Sequence, residues 1–219
     1  MVTTKDFKPL ALSVLIVVAL LMQCSRAMAG PRETLVVAGG CFWCVEENFE
    51  KVPGVISAVS GYTGGHVKNP TYKQVTRGGT GHYEAVKITF DAGRVSRERL
   101  LQLFFRSVDP TDPSGQFCDR GKSYRTAIFV SNAAEKALAE KVKAEAQAAL
   151  EQKVVTPVLA AKPFYLAEDY HQDYYKGSKI VLTRAGSKKQ SSAYKFYRRS
   201  CGRDARVRQL WGNAAAFAG

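Results

Sequence analysis

Two cysteines, Cys41 and Cys44, stand at the start of the stretch CFWCVEENFE, directly after a pair of glycines. Residues 33–38 have the composition of a strand, the glycines turn the chain, and residues 42–50 have the pattern of a helix. Cys41 therefore falls on the first turn of a helix. Unpaired backbone N–H groups and the helix dipole lower a thiol pKa at this position. The placement predicts a nucleophilic cysteine.

Three kinds of site could contain this Cys-x-x-Cys sequence. At the start of a helix it is typical of a thioredoxin-like dithiol, but the two residues between the cysteines are then usually small or include proline. A zinc site needs further ligands. The histidines of the chain do not have ligand spacing: His66, His82 and His171. We favour the third interpretation, in which Cys41 is the nucleophile and Phe42 and Trp43 form the wall of an apolar pocket.

A carboxylic acid provides the second chemical group. In GGTGHYEAVKITF, Glu84 has the same parity as Val86, Ile88 and Phe90, so all four lie on one face of a strand. Burial on that face would raise the pKa of the carboxyl group and keep it protonated. Glu84 is therefore a candidate general acid. The alternative is that Glu84 only emerges into solvent at the end of its strand.

Strands and helices alternate along the chain and must position these residues. Helices are expected over 42–50, from Ser96 to about Asp109, and from Asn132 to about Gln152. The alternation predicts an α/β (α+β-like) fold, a two-layer sandwich of a mixed sheet built from βαβ units, with helices packed on it and an irregular C-terminal segment. Residues 109–124 have no periodicity and contain Cys, Asp and Tyr, which is typical of a functional loop.

The N-terminus has the pattern of an export signal. Lysines precede an apolar run from Leu10 to Met22, and Ala27-Met28-Ala29 has the small residues that signal peptidases cut. The run is short for a membrane span. We expect a signal peptide at residues 1–29, a single catalytic domain at residues 30–219, and a periplasmic protein. The alternative is a membrane anchor formed by residues 10–22.

The formal net charge of the 219-residue chain is +13, and the excess of lysine and arginine is concentrated after residue 162. A basic surface can bind nucleic acid or form a solvated face. The expected export and the lack of a base-reading motif favour the solvated face. Four cysteines would remain after removal of the signal: Cys41, Cys44, Cys118 and Cys201. An even number suggests structural disulfides in an oxidising compartment, although a chain of this length does not need them.

Five motifs together identify a family. GCFWCVE, GGTGHYEAV, FCDRGKSYR, EDYHQDYY and CGRDAR closely resemble the A-type peptide methionine sulfoxide reductases, and the likeness runs from about Thr34 to Gly212. The resemblance implies that Cys41 attacks the sulfur of methionine-S-sulfoxide and becomes a sulfenic acid. It further implies that Glu84 protonates the sulfoxide oxygen, aided by the hydroxyl groups of Tyr72 and Tyr124.

The resemblance also implies the rest of the site and its partners. Phe42 and Trp43 would hold the methyl group of the substrate, Asp119 would organise the loop and position the substrate, and His171 would line the cleft. No bound cofactor is expected, because a thioredoxin-type protein or dithiothreitol supplies the electrons. The expected substrates are oxidised proteins and free methionine sulfoxide. We expect a monomer that binds no nucleic acid and has no stable membrane insertion once the signal is removed.

The chain departs from the family in three places. Many members have glycine in place of Cys44, glutamine often stands in place of Ser123, and the stretch 176–193 is longer than in many relatives. These departures leave open which cysteine provides the second thiol of the reaction. Because the family often places its recycling cysteine near the C-terminus, we expect Cys201 to pair with Cys41, with Cys118 as the next candidate.

Cys44 is expected to be a bystander, because a disulfide within one helical turn is difficult to close. Two other functions compete with the reductase. One is a thioredoxin-like thiol-disulfide exchange protein that uses Cys41 and Cys44. The other is a non-catalytic basic binding module, which would leave the activated cysteine and Glu84 without a purpose.

Overall fold

A mixed β-sheet with helices packed on it forms the centre of the molecule. The structure is a computed structural model that describes residues 30–184 and 186–219. The strands are β1 (Arg32–Gly39), β2 (Val55–Thr63), β3 (Tyr83–Asp91), β4 (Gly115–Gln116), β5 (Asp119–Arg120), β6 (Thr126–Val130), β7 (Val158–Ala160), β8 (Tyr165–Leu166), β9 (Ile180–Thr183) and β10 (Gly186–Lys189). The helices are α1 (Phe42–Glu50), α2 (Tyr72–Arg77), α3 (Arg97–Phe105), α4 (Ala133–Ala148), α5 (Gln190–Ser200) and α6 (Arg203–Trp211). Short 3₁₀ turns occupy Lys122–Tyr124, Asp169–His171, Tyr174–Lys176 and Gly212–Ala214.

Six strands form the main sheet, in the order β7-β6-β1-β3-β2-β8. β3 lies between β1 and β2 and is antiparallel to both, so the β1-α1-β2 connection joins parallel strands with one strand between them. The β3-α3-β6 connection spans β1 in the same way. β6 and β7 are direct parallel neighbours. The mixed α/β sheet is confirmed, and most of its βαβ units are split by an intervening strand.

The main core lies between the sheet and its helices. Helix α1 packs on β2 and β3, whereas α3 packs on β1 and on α4. The large side chains that are almost fully buried include Phe49, Phe90, Leu100, Phe104 and Ile128. On the opposite face of the sheet, Tyr83 and Phe129 form a smaller cluster, which Phe164 from an irregular segment covers. The architecture is thus the expected two-layer sandwich.

Side-chain caps begin two of the helices at the expected residues. The Ser96 hydroxyl accepts a hydrogen bond from the Arg99 N–H at 3.1 Å, and the Asn132 side chain accepts one from the Glu135 N–H at 2.9 Å. Both helices end earlier than expected, α3 at Phe105 and α4 at Ala148. The capping residues fix the start of a helix, but its end depends on the tertiary contacts of the last turn.

The C-terminal segment is more regular than expected. It contains the β9–β10 hairpin and two helices, α5 and α6. Helix α5 has many charged residues, so its hydrophobic pattern alone is only a weak indication of a helix. Its buried Tyr194 contacts α1, however, by donating a hydrogen bond to Glu47. Packing against the rest of the protein therefore stabilises a helix that the sequence pattern does not indicate.

Residues Pro31–Gly219 form one compact unit. The signal peptide or anchor expected within residues 1–29 lies outside the described residues, so both interpretations remain predictions. Within the described part of the chain, the helices are too short or too polar for one of them to span a bilayer.

Candidate active site

Cys41 occupies the junction between β1 and α1, where it is the N-cap residue of the helix. The preceding Gly40 has φ = +81°, and a Cβ atom on it would lie 2.5 Å from the Cβ of Gln116. Only glycine fits this turn without strain. The glycines therefore allow β1 to turn sharply into α1 beneath the 109–124 loop. Cys41 itself is 6% exposed.

The two thiols contact each other, and their pKa values are shifted in opposite directions. Burial raises the pKa of Cys41, and the thiol of Cys44 and the carboxylate of Glu84 raise it further. A hydrogen bond with Cys41 lowers the pKa of Cys44 to about 6, aided by the positive charge of Arg203 and Arg198. The pKa reduction that the helix start predicts for Cys41 is therefore absent here, because burial outweighs the helix dipole. Of the two thiols, Cys44 therefore has the lower pKa.

Glu84 is buried on β3 as the alternation predicts, with 1% of its surface exposed. Its Oε2 atom accepts a hydrogen bond from the backbone N–H of Phe42 at 3.1 Å, the first amide of α1. Within the described part of the chain its Oε1 atom has no hydrogen-bond partner. Burial raises the pKa of Glu84 to about 8. A protonated carboxyl group thus lies beside the helix start that carries Cys41.

Tyr72 and Tyr124 both lie in the electrostatic environment of Glu84. Burial and the carboxylate of Glu84 raise the pKa of each hydroxyl group, so both stay protonated. Tyr72 is the first residue of α2, and its backbone N–H donates to Glu168 at 2.8 Å. The same carboxylate accepts a hydrogen bond from the hydroxyl group of Tyr62 at 2.8 Å. Glu168 therefore fixes the start of α2 next to the acid.

Phe42 and Trp43, the residues of the expected apolar wall, pack against further aromatic rings. Phe42 is 1% exposed, and its ring centre lies 5.0 Å from that of His171. The indole ring of Trp43 stacks on Tyr174 with 3.7 Å between the ring centres. The Trp43 Nε1–H donates to the Nδ1 atom of His171 at 3.2 Å. In this structure, the rings of His171 and Tyr174 therefore cover Phe42 and Trp43.

His171 is a buried neutral ring. Its Nδ1 atom accepts from Trp43, and burial lowers its pKa to about 4. The proton of the neutral ring is therefore on Nε2. Among the described residues, no group is hydrogen-bonded to this buried Nε2 atom. His171 can thus donate a hydrogen bond towards a bound molecule, and its expected place in the cleft stays a prediction.

Asp119 lies on β5 in the long loop, close to the cysteines. Its carboxylate accepts a hydrogen bond from the hydroxyl group of Tyr197 on α5, and burial raises its pKa. Tyr197 packs against the cluster of buried side chains around Cys41 and Cys44. Helix α5 therefore covers the site. Its Tyr197 is hydrogen-bonded to the carboxylate of Asp119, the residue to which the family resemblance assigns the positioning of substrate.

Cys118 and Cys201 form a disulfide bond, which ties the long loop to the end of α5. Cys118 is exposed and Cys201 half-buried, and both line an apolar groove of about 570 Å³ next to Trp43 and Tyr197. Cys41 and Cys44 are the free cysteines of the described chain. The pairing in this structure thus differs from the expected Cys41–Cys201 disulfide, which remains a prediction for the oxidised enzyme.

One group of carboxylates has the spacing of a metal site. Oxygen atoms of Glu46, Glu50 and Asp173 lie within 4.8 Å of one another. The ammonium group of Lys176 lies 3.0 Å from Glu50 and 2.8 Å from Asp173. Because a lysine of the chain already offsets this negative charge, the cluster is explained as an ion-pair network.

Several residues that shape the site are missing from the sequence-based set. Tyr174 covers Trp43, Tyr197 binds Asp119, and Glu168 holds the start of α2. Tyr174 and Glu168 belong to the EDYHQDYY motif. Of the residues in this motif, the sequence analysis names only His171 as a candidate site residue. Tyr197 has no such signal, because the helix that positions it is not indicated by the pattern.

A buried thiol and a carboxyl group with a raised pKa lie in one site, an arrangement that suits the reduction of a substrate whose leaving oxygen must be protonated. The fold and the site define a cysteine-based oxidoreductase. Residues 33–213 match the family described as "Peptide methionine sulfoxide reductase", and the chain belongs to that family and is an enzyme of this type.

Similar proteins agree with this assignment over most of the chain. Peptide methionine sulfoxide reductase MsrA 2 of Caulobacter vibrioides is 49% identical over 196 residues, which cover 89% of this chain and 93% of that protein. The MsrA protein of Bacillus licheniformis is 46% identical over 187 residues, covering 84% and 97%. Methionine sulfoxide reductase A of Corynebacterium diphtheriae has a similar structure, with a TM-score of 0.60 at 31% identity, and the match covers 69% of this chain and 76% of that one.

Proposed function

We propose that this enzyme reduces methionine-S-sulfoxide to methionine, both as the free amino acid and within proteins, and so repairs oxidised proteins. The observation that carries the proposal is the position of Glu84. Its buried carboxyl group, with a pKa raised to about 8, is hydrogen-bonded to the first amide of the helix that begins at Cys41. A sulfoxide oxygen is a poor leaving group until it is protonated, and Glu84 holds the required proton at neutral pH.

The first step forms a sulfenic acid on Cys41. The sulfur of Cys41 attacks the sulfoxide sulfur while Glu84 protonates the oxygen, which is then transferred to Cys41 as methionine leaves. The substrate loses one oxygen atom, and the thiol becomes Cys41–SOH. The protonated hydroxyl groups of Tyr72 and Tyr124 donate hydrogen bonds to the oxygen and stabilise its developing charge.

The aromatic wall orients the substrate. Phe42 and Trp43 provide an apolar surface for the methyl group, and the unpaired Nε2–H of His171 points to a polar group of the substrate. Asp119 binds the substrate backbone once the hydroxyl group of Tyr197 leaves its carboxylate. Substrate entry in this proposal requires α5 to shift, since Tyr197 and Tyr174 now cover Asp119 and Trp43.

A second thiol then converts the sulfenic acid into a disulfide, which an external dithiol reduces. A thioredoxin-type protein is the proposed reductant, and dithiothreitol can replace it. The exposure of Cys118 and the groove that it lines support this, because both leave room for a protein thiol to approach this residue. Export to the periplasm, action as a monomer and independence of a bound cofactor belong to the same proposal.

Separated epimers test the proposal. A site that fixes both the methyl group and the oxygen is chiral, so the enzyme should reduce the S epimer of N-acetyl-methionine sulfoxide and almost none of the R epimer. The measurement is methionine release with dithiothreitol, with Cys41→Ser as the inactive control. Comparable rates on the two epimers would refute the assignment.

A thiol-disulfide exchange activity is the second candidate, because Cys41 and Cys44 contact each other at a helix start and the pKa of Cys44 is lowered to about 6. Insulin reduction in the presence of dithiothreitol measures this activity. Rapid insulin reduction without sulfoxide reduction would favour the second candidate.

A further inference from the structure

The C-terminal part of the chain contains a basic segment that the proposed function does not use. Residues 174–203 include nine lysine and arginine residues and no aspartate or glutamate. Three of the nine have partners within the protein: Lys176 and Arg198 form ion pairs, and Arg203 is buried against backbone carbonyl groups. Within the described part of the chain the other six form no ion pair: Lys179, Arg184, Lys188, Lys189, Lys195 and Arg199. These six side chains therefore make the segment attractive to anions.

The β9–β10 hairpin lies in this segment and has an exposed outer face. Ile180 is paired with Lys189 and Leu182 with Ser187, and directly opposite residues of antiparallel strands project to the same side of the sheet. All four are exposed, Leu182 at 86% and Ile180 at 66%. The hairpin contacts α5, and Lys188 of its opposite face lies over an aromatic ring of that helix. The outer face thus presents two large aliphatic side chains beside a lysine.

Hydrogen bonds at the base of the hairpin anchor it to the rest of the fold. The Gln190 N–H donates to the Lys179 carbonyl group at 2.9 Å, and the Ser191 N–H donates to the Gly177 carbonyl group at 3.0 Å. The side chain of Gln190 is buried and donates to the Tyr170 carbonyl group at 3.2 Å. The aliphatic side chains of the outer face are therefore presented by an anchored element.

We propose that the outer face of the hairpin and the six cations form a docking surface for an anionic lipid membrane. Aliphatic side chains gain hydrophobic free energy when they enter the boundary between headgroups and acyl chains. Each lysine or arginine close to an anionic bilayer adds electrostatic attraction. Both kinds of side chain are combined in this one segment. Binding is peripheral, so no part of the fold has to cross the bilayer.

The composition of the surface favours lipid over other anionic partners. Protein interfaces are enriched in aromatic residues and arginine and depleted in lysine, whereas four of the six cations are lysines. Proteins that bind single-stranded nucleic acid stack its bases on aromatic rings, and the described residues of the outer face include no aromatic ring. An anionic membrane requires only charge and apolar area, which this surface has.

The docking surface adjoins the candidate active site. Arg184 of the hairpin and Phe196 of α5 line the groove of about 570 Å³ that Trp43 and Cys118 also line. Because the groove and the hairpin share these residues, a docked enzyme would hold the groove close to the lipid headgroups. Substrates at the membrane surface would then meet the groove directly.

Vesicle flotation tests the docking surface. The protein is used from Gly30 onward, because the residues from Pro31 form one compact unit and the apolar run at 10–22 would itself bind lipid. With vesicles of equal parts phosphatidylcholine and phosphatidylglycerol we expect the protein to float at about 0.1 M salt. With phosphatidylcholine alone it should stay at the bottom. Salt at about 1 M, which shortens the Debye length from ~10 Å to ~3 Å, should release it.

Two double variants separate the two contributions. Lys179→Gln/Lys189→Gln should lower the partition coefficient for the mixed vesicles about 30-fold, since each cation near an anionic surface contributes about fivefold. Ile180→Ser/Leu182→Ser should lower it at least about tenfold, because two aliphatic side chains no longer leave water. All four replaced side chains are exposed, so the fold should persist, and near-UV circular dichroism checks this. If the serine variant misfolds, the lysine variant decides.

Matched controls carry the same changes elsewhere on the surface. Lys136→Gln/Lys153→Gln removes two exposed lysines outside the segment, so its net charge equals that of the hairpin lysine variant. Leu166→Ser removes a leucine of β8 that is 64% exposed. Both controls should bind the mixed vesicles as the wild-type protein does.

Three results would overturn the proposal: equal binding of the hairpin variants and their controls, equal flotation with both kinds of vesicle, and no flotation of the wild-type protein with the mixed vesicles. In the last case the lysine variants are titrated with polyglutamate and with a DNA oligonucleotide. A loss of affinity confined to the hairpin variant would then identify an acidic protein or a nucleic acid as the partner. None of these measurements needs catalysis, so the docking surface and the proposed function are tested separately.

Discussion

Two buried groups at the active site, Glu84 and Cys41, both have raised pKa values for the same reason, which is the removal of water from their charged forms. For an acid catalyst this shift is useful, because the carboxyl group keeps its proton at neutral pH. For a nucleophile it is a cost, and contact with Cys44 adds to this cost, because that thiol raises the pKa of Cys41 further. Proton supply at Glu84 should therefore limit the rate as the pH rises.

The first prediction concerns Glu84→Gln. The rate of sulfoxide reduction should fall by about 10²–10⁴-fold at neutral pH, since glutamine cannot give a proton. In the wild-type enzyme kcat/KM should decrease as the pH rises through about 8, where Glu84 loses its proton. The variant should lack this decrease. Stopped assays with dithiothreitol between pH 6 and 9 measure both effects.

The control is Glu46→Gln, because Glu46 is equally buried but is bonded to Ser60 and Asp173 rather than to the start of α1. It should keep the wild-type pH profile. A wild-type rate in Glu84→Gln would show that Glu84 only packs at the end of its strand.

At the scale of elements, α1 must be held in place on the sheet because the proposed nucleophile, Cys41, is its N-cap residue. Glu46 provides one attachment: its carboxylate accepts a hydrogen bond from the Ser60 hydroxyl group on β2 and from the Asp173 N–H at 2.5 Å. Burial raises the pKa of Glu46 from its ordinary value of 4.5 to about 7. The folded protein therefore binds a proton at Glu46 over a pH range in which the unfolded chain has released it.

A pH dependence of stability follows. Between pH 4.5 and about 7 the folded state holds more protons at Glu46 than the unfolded state, so the free energy of unfolding should fall as the pH rises through this range. Glutamine can keep both hydrogen bonds, so Glu46→Gln should flatten the decrease. Urea unfolding at several pH values, followed by tryptophan fluorescence, measures the slope.

The exposed Glu140 on α4 offers a control for the same carboxyl-to-amide change, and Glu140→Gln should keep the wild-type slope. Glu84 adds a decrease of the same sign up to about pH 8, so the slope of the double variant Glu46→Gln/Glu84→Gln should be flatter than that of either single variant. An unchanged slope in Glu46→Gln would mean that this carboxyl group keeps an ordinary pKa.

At the scale of the whole molecule, the Cys118–Cys201 disulfide joins the 109–124 loop to the C-terminal helices across 83 residues of sequence. A crosslink of this span removes many conformations from the unfolded chain. Cys118 is exposed, so a thiol reductant can reach this bond. The stability of the enzyme should therefore depend on whether the bond is oxidised or reduced.

Reduction of the Cys118–Cys201 disulfide should lower the free energy of unfolding by up to about 4.5 kcal/mol, the loop-closure value for such a span. Urea unfolding with and without dithiothreitol measures the difference. The variant Cys118→Ser/Cys201→Ser should unfold like the reduced wild-type protein and should not respond to dithiothreitol. An equal stability of the oxidised and reduced wild-type protein would contradict the prediction.

Local sequence features were enough to locate the main elements and the reactive groups. The strand-glycine-helix junction at Cys41, the face of β3 that buries Glu84, and the capping residues Ser96 and Asn132 all depend on neighbours in sequence. Short-range sterics, capping and side-chain alternation determine such features, so a single chain segment carries the signal. The family motifs also indicated the class of enzyme to which the chain belongs.

Only the tertiary structure decided which groups meet. It inserted β3 between β1 and β2, paired Cys118 with Cys201, and packed α5 over the cysteines so that Tyr197 binds Asp119. It also reversed the expected pKa shift of Cys41, because burial depends on what surrounds a residue and the helix dipole depends only on its own helix. Contacts between residues far apart in sequence depend on the packing of the whole chain, and a motif records the types of the residues but not the distances between them.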